Sequence, residues 1–237
     1  MIPKIIHASW KIKEIINDDS ELIQKGLKQL VKLNPDWELQ ISDDDDVDRY
    51  LQEKLSAFDF ALINKKHIVE KLDLWRLIKL YNEGGMYTDI DRLYNIPIKD
   101  ILTPDTKFVL PTCLDYDFSH DFMMTAPKNP IFITALSMNI ARRREGHDSI
   151  YYLGPQTWFH AVTQSLGYIK ELVDTNPGAE RFADIRQTMK DFGFIMTYRE
   201  HPPFDTILFR NETVSNYEQM KRDFYAKHNM KHWSGEW

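Results

Sequence analysis

Cysteine, glycine and proline are all scarce in this sequence of 237 residues. The single cysteine, Cys113, cannot form an internal disulfide, which excludes a disulfide-stabilised scaffold and a cysteine-rich zinc module. With 9 glycines and 11 prolines, the chain is neither collagen-like nor of low complexity. Hydrophobic residues make up 43% of the chain and charged residues 28%, so the composition is that of an ordinary globular protein.

Basic charge and long apolar runs are also lacking. The chain has 30 lysines and arginines against 36 acidic residues, a net charge of −6. We therefore expect no nucleic-acid partner, because duplex binding depends on neutralising phosphates. The N-terminus is too polar for a signal peptide, and no stretch approaches the ~18 apolar residues of a membrane-spanning helix. We expect no integral membrane segment and a cytoplasmic location.

The N-terminal part has the pattern of a strand, a helix and a second strand. Residues 2–8 form an isoleucine-rich apolar run, and residues 20–33 carry apolar side chains at helical spacing. Residues 37–41 alternate between apolar and polar side chains. This opening predicts an α/β fold with a nucleotide-binding architecture.

Four consecutive aspartates, residues 43–46, follow the second predicted strand. They do not form a calcium loop, because the glycine position counted from Asp44 holds Arg49 and the closing glutamate position holds Leu55. Acidic side chains stabilise the N-terminus of a helix. The aspartates therefore predict the start of a helix that continues through residues 47–55.

The clearest helix covers residues 67–83, and its apolar residues lie on most sides, which predicts burial. Gly84-Gly85 ends this helix, and residues 86–88 form a strand that runs into two aspartates. Further elements are predicted at residues 108–110 (strand), from Pro130 (helix), at 158–166 (helix), at 179–192 (amphipathic segment) and at 206–209 (strand).

The two aspartates after the glycine pair, Asp89 and Asp91, are the first candidate site. The pattern alone is weak, because the chain contains several other Asp-x-Asp pairs. At the end of a strand, however, residues i and i+2 point to the same side, and two like charges there repel unless a cation joins them. Carboxylates of this kind suit Mg²⁺ or Mn²⁺. The alternative is a pair of solvated loop acids.

Asp73 and Arg76 are the second candidate site. They lie three residues apart, on one face of a helix that is otherwise mostly apolar. They form either a structural salt bridge or a recognition pair, in which Asp73 accepts from ribose hydroxyls and Arg76 contacts a nucleotide or sugar oxygen.

Two blocks of the sequence resemble the family 32 glycosyltransferases, which contain a DXD motif. The first block is Ile2-Pro3-Lys4-Ile5-Ile6-His7-x-x-Trp10, and the second is Lys71-x-Asp73-x-x-Arg76 followed by Gly84-Gly85-Met86-Tyr87-x-Asp89-x-Asp91. Gly154-Pro155 is similar to a later turn of the family. The family includes initiating α-mannosyltransferases, capsular sugar transferases and, distantly, clostridial glucosylating toxins.

The resemblance implies a GT-A fold: a single α/β domain over residues 1–237 with a mostly parallel, Rossmann-like central sheet. Residues 1–110 would form the nucleotide-sugar-binding half, and residues 111–237 the acceptor-side half and C-terminal tail. The implied activity is transfer of a hexose from a UDP- or GDP-linked donor to a glycan or other hydroxyl acceptor, with retention. The implied cofactor is Mn²⁺ or Mg²⁺.

The resemblance also implies roles for individual residues. Trp10 would stack on or flank the nucleobase, and Tyr87 would line the phosphate site. The implied donor-binding residues are His7, Trp10, Asp73, Arg76, Tyr87 and Asp89. The implied catalytic residues are Asp89, Asp91 and Arg76. The implied metal ligands are Asp91, Asp89 and a histidine of the tail, for which His232 is favoured over His228.

Two other functions compete with transfer. An aspartyl phosphohydrolase is disfavoured because a glycine pair precedes the acids and Leu93 occupies a position where that class has threonine or valine. A protein that binds nucleotide sugar or glycan without turnover is the other alternative. No catalytic base is assigned: Asp115, Asp117 and Asp121 are candidates, and His120 beside them is interpreted as incidental.

Overall fold

The computed structural model describes residues 1–94, 96–113, 117–118, 120–165, 194–198 and 216–230. The segments predicted at 179–192 and 206–209 lie outside these residues, as do Asp115 and His232.

A seven-stranded sheet organises the described part of the chain. Its strands are β1 (Ile5–Ser9), β2 (Glu38–Ser42), β3 (Gly85–Thr88), β4 (Phe108–Cys113), β5 (Asp117–Phe118), β6 (Phe122–Thr125) and β7 (Phe194–Tyr198). They are ordered β2-β1-β3-β6-β4-β5, and β7 pairs with β4. The pairs β1–β2, β1–β3 and β4–β7 are parallel, whereas β6 runs antiparallel to both β3 and β4, and β5 antiparallel to β4.

The described ranges also contain nine helices: α1 (Glu21–Lys25), α2 (Leu27–Leu33), α3 (Asp44–Lys54), α4 (Ala57–Ile63), α5 (Ile68–Glu83), α6 (Pro130–Arg144), α7 (Ile150–Leu153), α8 (Pro155–Ser165) and α9 (Tyr217–Lys227). Short 3₁₀ turns occur at Lys13–Asn17 and Ile98–Asp100. None of the helices in the described ranges is long and apolar enough to cross a membrane. The predicted α/β class is confirmed.

Alternate residues of the central strands belong to two apolar clusters. Met86 of β3 packs in one cluster with Ile6 of β1, whereas its neighbour Tyr87 packs in the other with Trp75 of α5. Because successive strand residues point to opposite faces, both faces of the sheet are covered. This double burial explains why β3 and β6 lack polar alternation in the sequence.

The helix predicted over residues 20–33 is two helices, α1 and α2, which meet at Gly26. The backbone of Gly26 leaves the helical region, with φ −95° and ψ −95°. A Cβ at this position would overlap the backbone carbonyl of Arg92, so the chain approaches the loop after β3 more closely than a side chain allows. The prediction of one continuous helix was therefore wrong.

The aspartate run begins α3, as predicted. Asp43 is the N-cap, and its Oδ1 accepts a hydrogen bond from the backbone N–H of Asp46 at 2.8 Å. The next three aspartates occupy the first helical turn, at the positive end of the helix dipole.

Candidate functional site

A cavity of about 420 Å³ opens where β1 and β3 end. Residues that follow these strands line it, among them Trp10 after β1 and the segment 89–92 after β3. The other walls come from the N-terminal half of α5, from α7 and from α9. Because β1 and β3 are parallel, the cavity lies at the carboxyl ends of the strands, where α/β sheets place their ligands.

Asp73 and Arg76 project from α5 into this cavity and are both buried, at 3% and 6% exposure. Nη2 of Arg76 lies 3.2 Å from Oδ1 of Asp73. Burial alone would raise the pKa of Asp73, but Arg76 and then His120 lower it below its ordinary value. Asp73 therefore stays an anion, which can accept hydrogen bonds but cannot donate them.

Two residues outside the main sequence motifs hold the Asp73 carboxylate in place. Nδ1 of His120 lies 3.3 Å from its Oδ1, and the His120 ring stacks on Trp158. On the other side, a Cβ on Gly154 would overlap the carboxylate, so only glycine leaves it room. The interpretation of His120 as incidental missed this contact. The sequence around His120 does not indicate that this residue lies next to α5 in the fold.

Arg76 connects Asp73 to the acids after β3. Its guanidinium lies over the Tyr87 ring, 4.5 Å from the centroid, and donates through Nη1 to the backbone carbonyl of His120. The same nitrogen is 3.8 Å from Oδ1 of Asp89, which also accepts a hydrogen bond from the Tyr87 hydroxyl. The implied donor-binding residues Asp73, Arg76, Tyr87 and Asp89 thus form one connected group at the cavity wall.

Asp89 and Asp91 lie beside two cations that the sequence motifs do not include. Lys221 of α9 places its ammonium 2.9 Å from Oδ2 of Asp91, and Nε of Arg92 is 3.8 Å from Oδ1. Arg92 also pairs with Asp121 through Nη2. Asp121, a candidate base from the sequence, is therefore engaged in an ion pair.

The chemistry of these acids fits a divalent cation. Desolvation raises the pKa of Asp89, and the carboxylates of Asp91 and Asp121 raise it further against the opposing effect of Arg76. The carboxylates of Asp89, Asp91 and Asp121 are therefore close enough to repel one another, and carboxylate oxygens are the ligands that Mg²⁺ and Mn²⁺ prefer. No cluster of three or more histidine, cysteine or acidic side chains in the described ranges could hold a metal. The two aspartates would therefore need further ligands, such as phosphate oxygens or water.

Of the two histidines considered as a third ligand, only His228 lies in the described part of the chain. Its Nε2 contacts Oδ2 of Asp18 at 3.1 Å, and its ring packs on Trp10 and Phe224. His228 does not line the cavity, because these contacts direct it toward Asp18. The preference for His232 stays a prediction.

Trp10 lines the cavity but is only 8% exposed. Phe224 and Tyr225 of α9 pack against its ring, with centroids 5.0 and 6.0 Å away. Its indole nitrogen has no hydrogen-bond partner among the described residues. Trp10 therefore joins β1 to α9 while lining the cavity, and its stacking on a nucleobase stays a prediction.

His7, the remaining implied donor-binding residue, does not line the cavity. It is 1% exposed on β1, and its Nε2 donates to the backbone carbonyl of Gly84 at 3.0 Å. Gly84, with φ +68°, ends α5 and turns the chain into β3. The structure therefore places His7 at the α5–β3 corner, away from the residues that line the cavity, and its role in donor binding stays a prediction.

This placement predicts a pH-dependent stability. Burial lowers the pKa of His7 from 6.5 to about 4, so between these values only the unfolded chain binds the proton and stability falls as the pH falls. Chemical denaturation of His7→Gln should show about 2–3 kcal/mol less loss between pH 6.5 and pH 4 than the wild type. His147→Gln, at an exposed histidine, is the control; the same pH dependence in wild type and His7→Gln would contradict the assignment.

The fold and cavity define an α/β protein with a candidate ligand site at the carboxyl ends of its parallel strands. Residues 20–109 match the family described as "Glycosyltransferase sugar-binding region containing DXD motif". The solved structure of PaToxG Glycosyltransferase has a TM-score of 0.54 and 20% identity, covering 95% of this chain and 86% of that chain. This likeness shows a shared GT-A-type fold.

Two curated relatives are fungal enzymes. The chain is 28% identical over 138 residues to Inositol phosphoceramide mannosyltransferase 1 of Schizosaccharomyces pombe, covering 57% of this chain and 42% of the relative. It is 29% identical over 136 residues to Mannosyl phosphorylinositol ceramide synthase SUR1 of Saccharomyces cerevisiae, covering 57% of this chain and 34% of that one. These alignments span less than half of each relative. Together with the family match, they confirm the resemblance to DXD-containing glycosyltransferases.

Proposed function

We propose that this protein is a glycosyltransferase that moves a hexose from a nucleoside-diphosphate sugar to a hydroxyl group of an acceptor, in a divalent-metal-dependent reaction with retention. The observation that carries this proposal is the connected group of Asp73, Arg76, Tyr87 and Asp89, which ends beside Asp91 at the edge of one cavity. It combines acceptors for sugar hydroxyls with carboxylates for a cation.

In this proposal Asp73 binds the donor. Its carboxylate stays ionised and is held from two sides, by His120 and by the backbone at Gly154. A fixed anion that cannot rotate away is suited to accept hydrogen bonds from sugar or ribose hydroxyls, because little conformational freedom is lost on binding. Arg76 supplies a buried positive charge whose direction is set by Tyr87 and the His120 carbonyl.

Asp89 and Asp91 would hold the metal ion. When bound, that cation stabilises the negative charge that develops on the leaving diphosphate. Arg76 adds a second, permanent positive charge at the same wall. In the proposed reaction the bond from the anomeric carbon to the phosphate oxygen breaks, and a bond to the acceptor oxygen forms on the same face. The leaving phosphate takes the acceptor proton, so no protein base is required.

The names of two relatives suggest which sugar donor to test first. Both curated relatives described above have a mannosyl group in their names, which makes a mannose donor the first to test. We propose a single transferase domain over residues 1–237, with the donor bound by residues 1–110 and the acceptor by the part that follows. The cytoplasmic location stays a prediction.

The function is tested by incubating the purified protein with UDP- and GDP-linked hexoses, with Mn²⁺ or with a chelator, and measuring released nucleoside diphosphate. We expect release from one donor that requires the metal, because hydrolysis by water reports turnover before the acceptor is known. Calorimetric binding of a nucleotide with Mn²⁺, without release from any donor, would instead support the non-catalytic alternative. Phosphate release from a generic aryl phosphate would support the phosphohydrolase.

A further inference from the structure

Helix α9 contacts Asp91 through two side chains on one face. Tyr217 and Lys221 are four residues apart, so they lie one above the other. The Tyr217 hydroxyl donates to the backbone carbonyl of Asp91 at 3.1 Å, and the Lys221 ammonium lies 2.9 Å from its Oδ2. One turn further, Tyr225 lines the cavity. The helix thus holds both the backbone and the carboxylate of the second aspartate.

The Lys221–Asp91 pair is well shielded from solvent. The side chain of Lys221 is 13% exposed and that of Asp91 is 8% exposed, in contrast to the 44% of Lys227 on the same helix. A shielded carboxylate needs a nearby cation, because its desolvation is costly when it is not compensated. Arg92 lies further from Asp91 and pairs with Asp121, so Lys221 is the closer of the two cations.

Lysine is suited to release such a contact. Its ammonium is a compact point charge on a flexible stem, whereas the guanidinium of Arg92 is a rigid fork. Lys221 also lines the cavity, so its charge can reach a ligand there without movement of the helix.

We infer that Lys221 couples metal binding to diphosphate binding. In the protein without ligands, Lys221 neutralises Asp91 and competes with the divalent cation for its carboxylate; when the donor diphosphate is present, the ammonium transfers to phosphate oxygens. The cation and the diphosphate therefore strengthen each other's binding, in the reciprocal manner of linked sites. This inference rests on the proposed function and assigns Lys221 a role that no sequence motif contains.

The test measures two affinities in Lys221→Met, which keeps the stem and removes the charge. Titration with Mn²⁺ alone, followed by electron paramagnetic resonance of the free ion, should give about tenfold tighter binding than the wild type, because the competitor is gone. Calorimetric titration with UDP and GDP at saturating Mn²⁺ should give about tenfold weaker binding of the nucleotide that the wild type prefers, because the phosphate loses a cation. A merely structural role would not move the two affinities in opposite directions.

Two control variants match this change. Lys227→Met removes an ammonium from the same helix, where it pairs with Asp18 and Asp19 away from the cavity. Lys11→Met removes one from the cavity lining, where it donates to the backbone carbonyl of His228. Both should leave the Mn²⁺ affinity within about twofold of the wild type. Lys221→Arg, which keeps the charge, should not bind Mn²⁺ more tightly than the wild type.

An unchanged Mn²⁺ affinity in Lys221→Met, or an equal gain in Lys11→Met, would overturn the inference while leaving the proposed function intact. Weaker binding of both ligands in Lys221→Met would also overturn it, because that result indicates a damaged site. If neither the wild type nor any variant bound Mn²⁺ or a nucleotide, the proposed function would fail and the inference with it.

Discussion

Asp91→Asn is expected to lower the Mn²⁺-dependent affinity for nucleotide by at least about 100-fold. Losing a residue that only supports a metal ligand costs about 10–100-fold, and Asp91 is proposed to bind the metal directly. The amide keeps the shape of the side chain but removes the charge that the cation requires. It also leaves the ammonium of Lys221 at 2.9 Å without its carboxylate, which adds repulsion toward a metal ion. Calorimetric titration of UDP and GDP with and without Mn²⁺ measures the loss.

Asp19→Asn is the matched control for this change. Asp19 is an exposed aspartate that pairs with Lys227 outside the cavity, so its replacement should leave nucleotide affinity unchanged. The residual, metal-independent affinity of Asp91→Asn should be no weaker than that of the wild type in chelator, because Lys221 no longer pairs with a carboxylate there. Full Mn²⁺-dependent affinity in Asp91→Asn would show that this carboxylate does not bind the cation, and the proposed reaction would lose its metal site.

Arg76→Gln is expected to reduce both stability and turnover. Arg76 is buried and compensates Asp73 and Asp89, so its loss leaves carboxylates without a cation and should cost about 3–5 kcal/mol of unfolding free energy. Donor turnover should fall by about 10²–10³, as it does when one preorganised electrostatic group is removed from an enzyme. Denaturant titration and release of nucleoside diphosphate measure the two effects.

A second variant separates these effects. In Arg76→Gln combined with Asp73→Asn, the buried anion is removed with its partner, so part of the lost stability should return while turnover stays low. Arg49→Gln, at an exposed arginine paired with Asp46 on α3, should cost about 0–1 kcal/mol and leave turnover unchanged. Turnover that recovered in parallel with stability in the double variant would reduce this pair to a structural salt bridge.

Local signals in the sequence were sufficient for many of the elements. The aspartate run begins α3 because Asp43 caps a helix whose first turn is acidic, and α5 ends where Gly84 adopts a positive φ. Each of these effects acts within a few residues, so it can be predicted directly from the local sequence. The break at Gly26 could not be seen in this way, because its cause is the distant carbonyl of Arg92.

Long-range pairing limited the prediction of the sheet. Strands β5, β6 and β7 were not predicted; β5 is two residues long, and β6 is the buried run Phe122–Thr125, which has no alternation. A short apolar run becomes a strand when partners are placed on both sides, here β3 and β4. The antiparallel direction of β6 likewise depends on the path of the chain.

Some residues of the candidate site could likewise be predicted from the local sequence, whereas others could be found only in the folded structure. Asp73, Arg76, Asp89 and Asp91 could be chosen from spacing on one helix and one strand end, because a helix and a strand repeat their faces at known intervals. His120, Gly154 and Lys221 reach these residues from the segment before β6, from the α7–α8 junction and from α9, and no local pattern in the sequence indicates that they do so. Spacing along the chain was therefore enough to identify the chemical groups of the site. Which residues pair with them was determined by the packing of remote segments, because charge interactions depend on distance in space and not on separation in sequence.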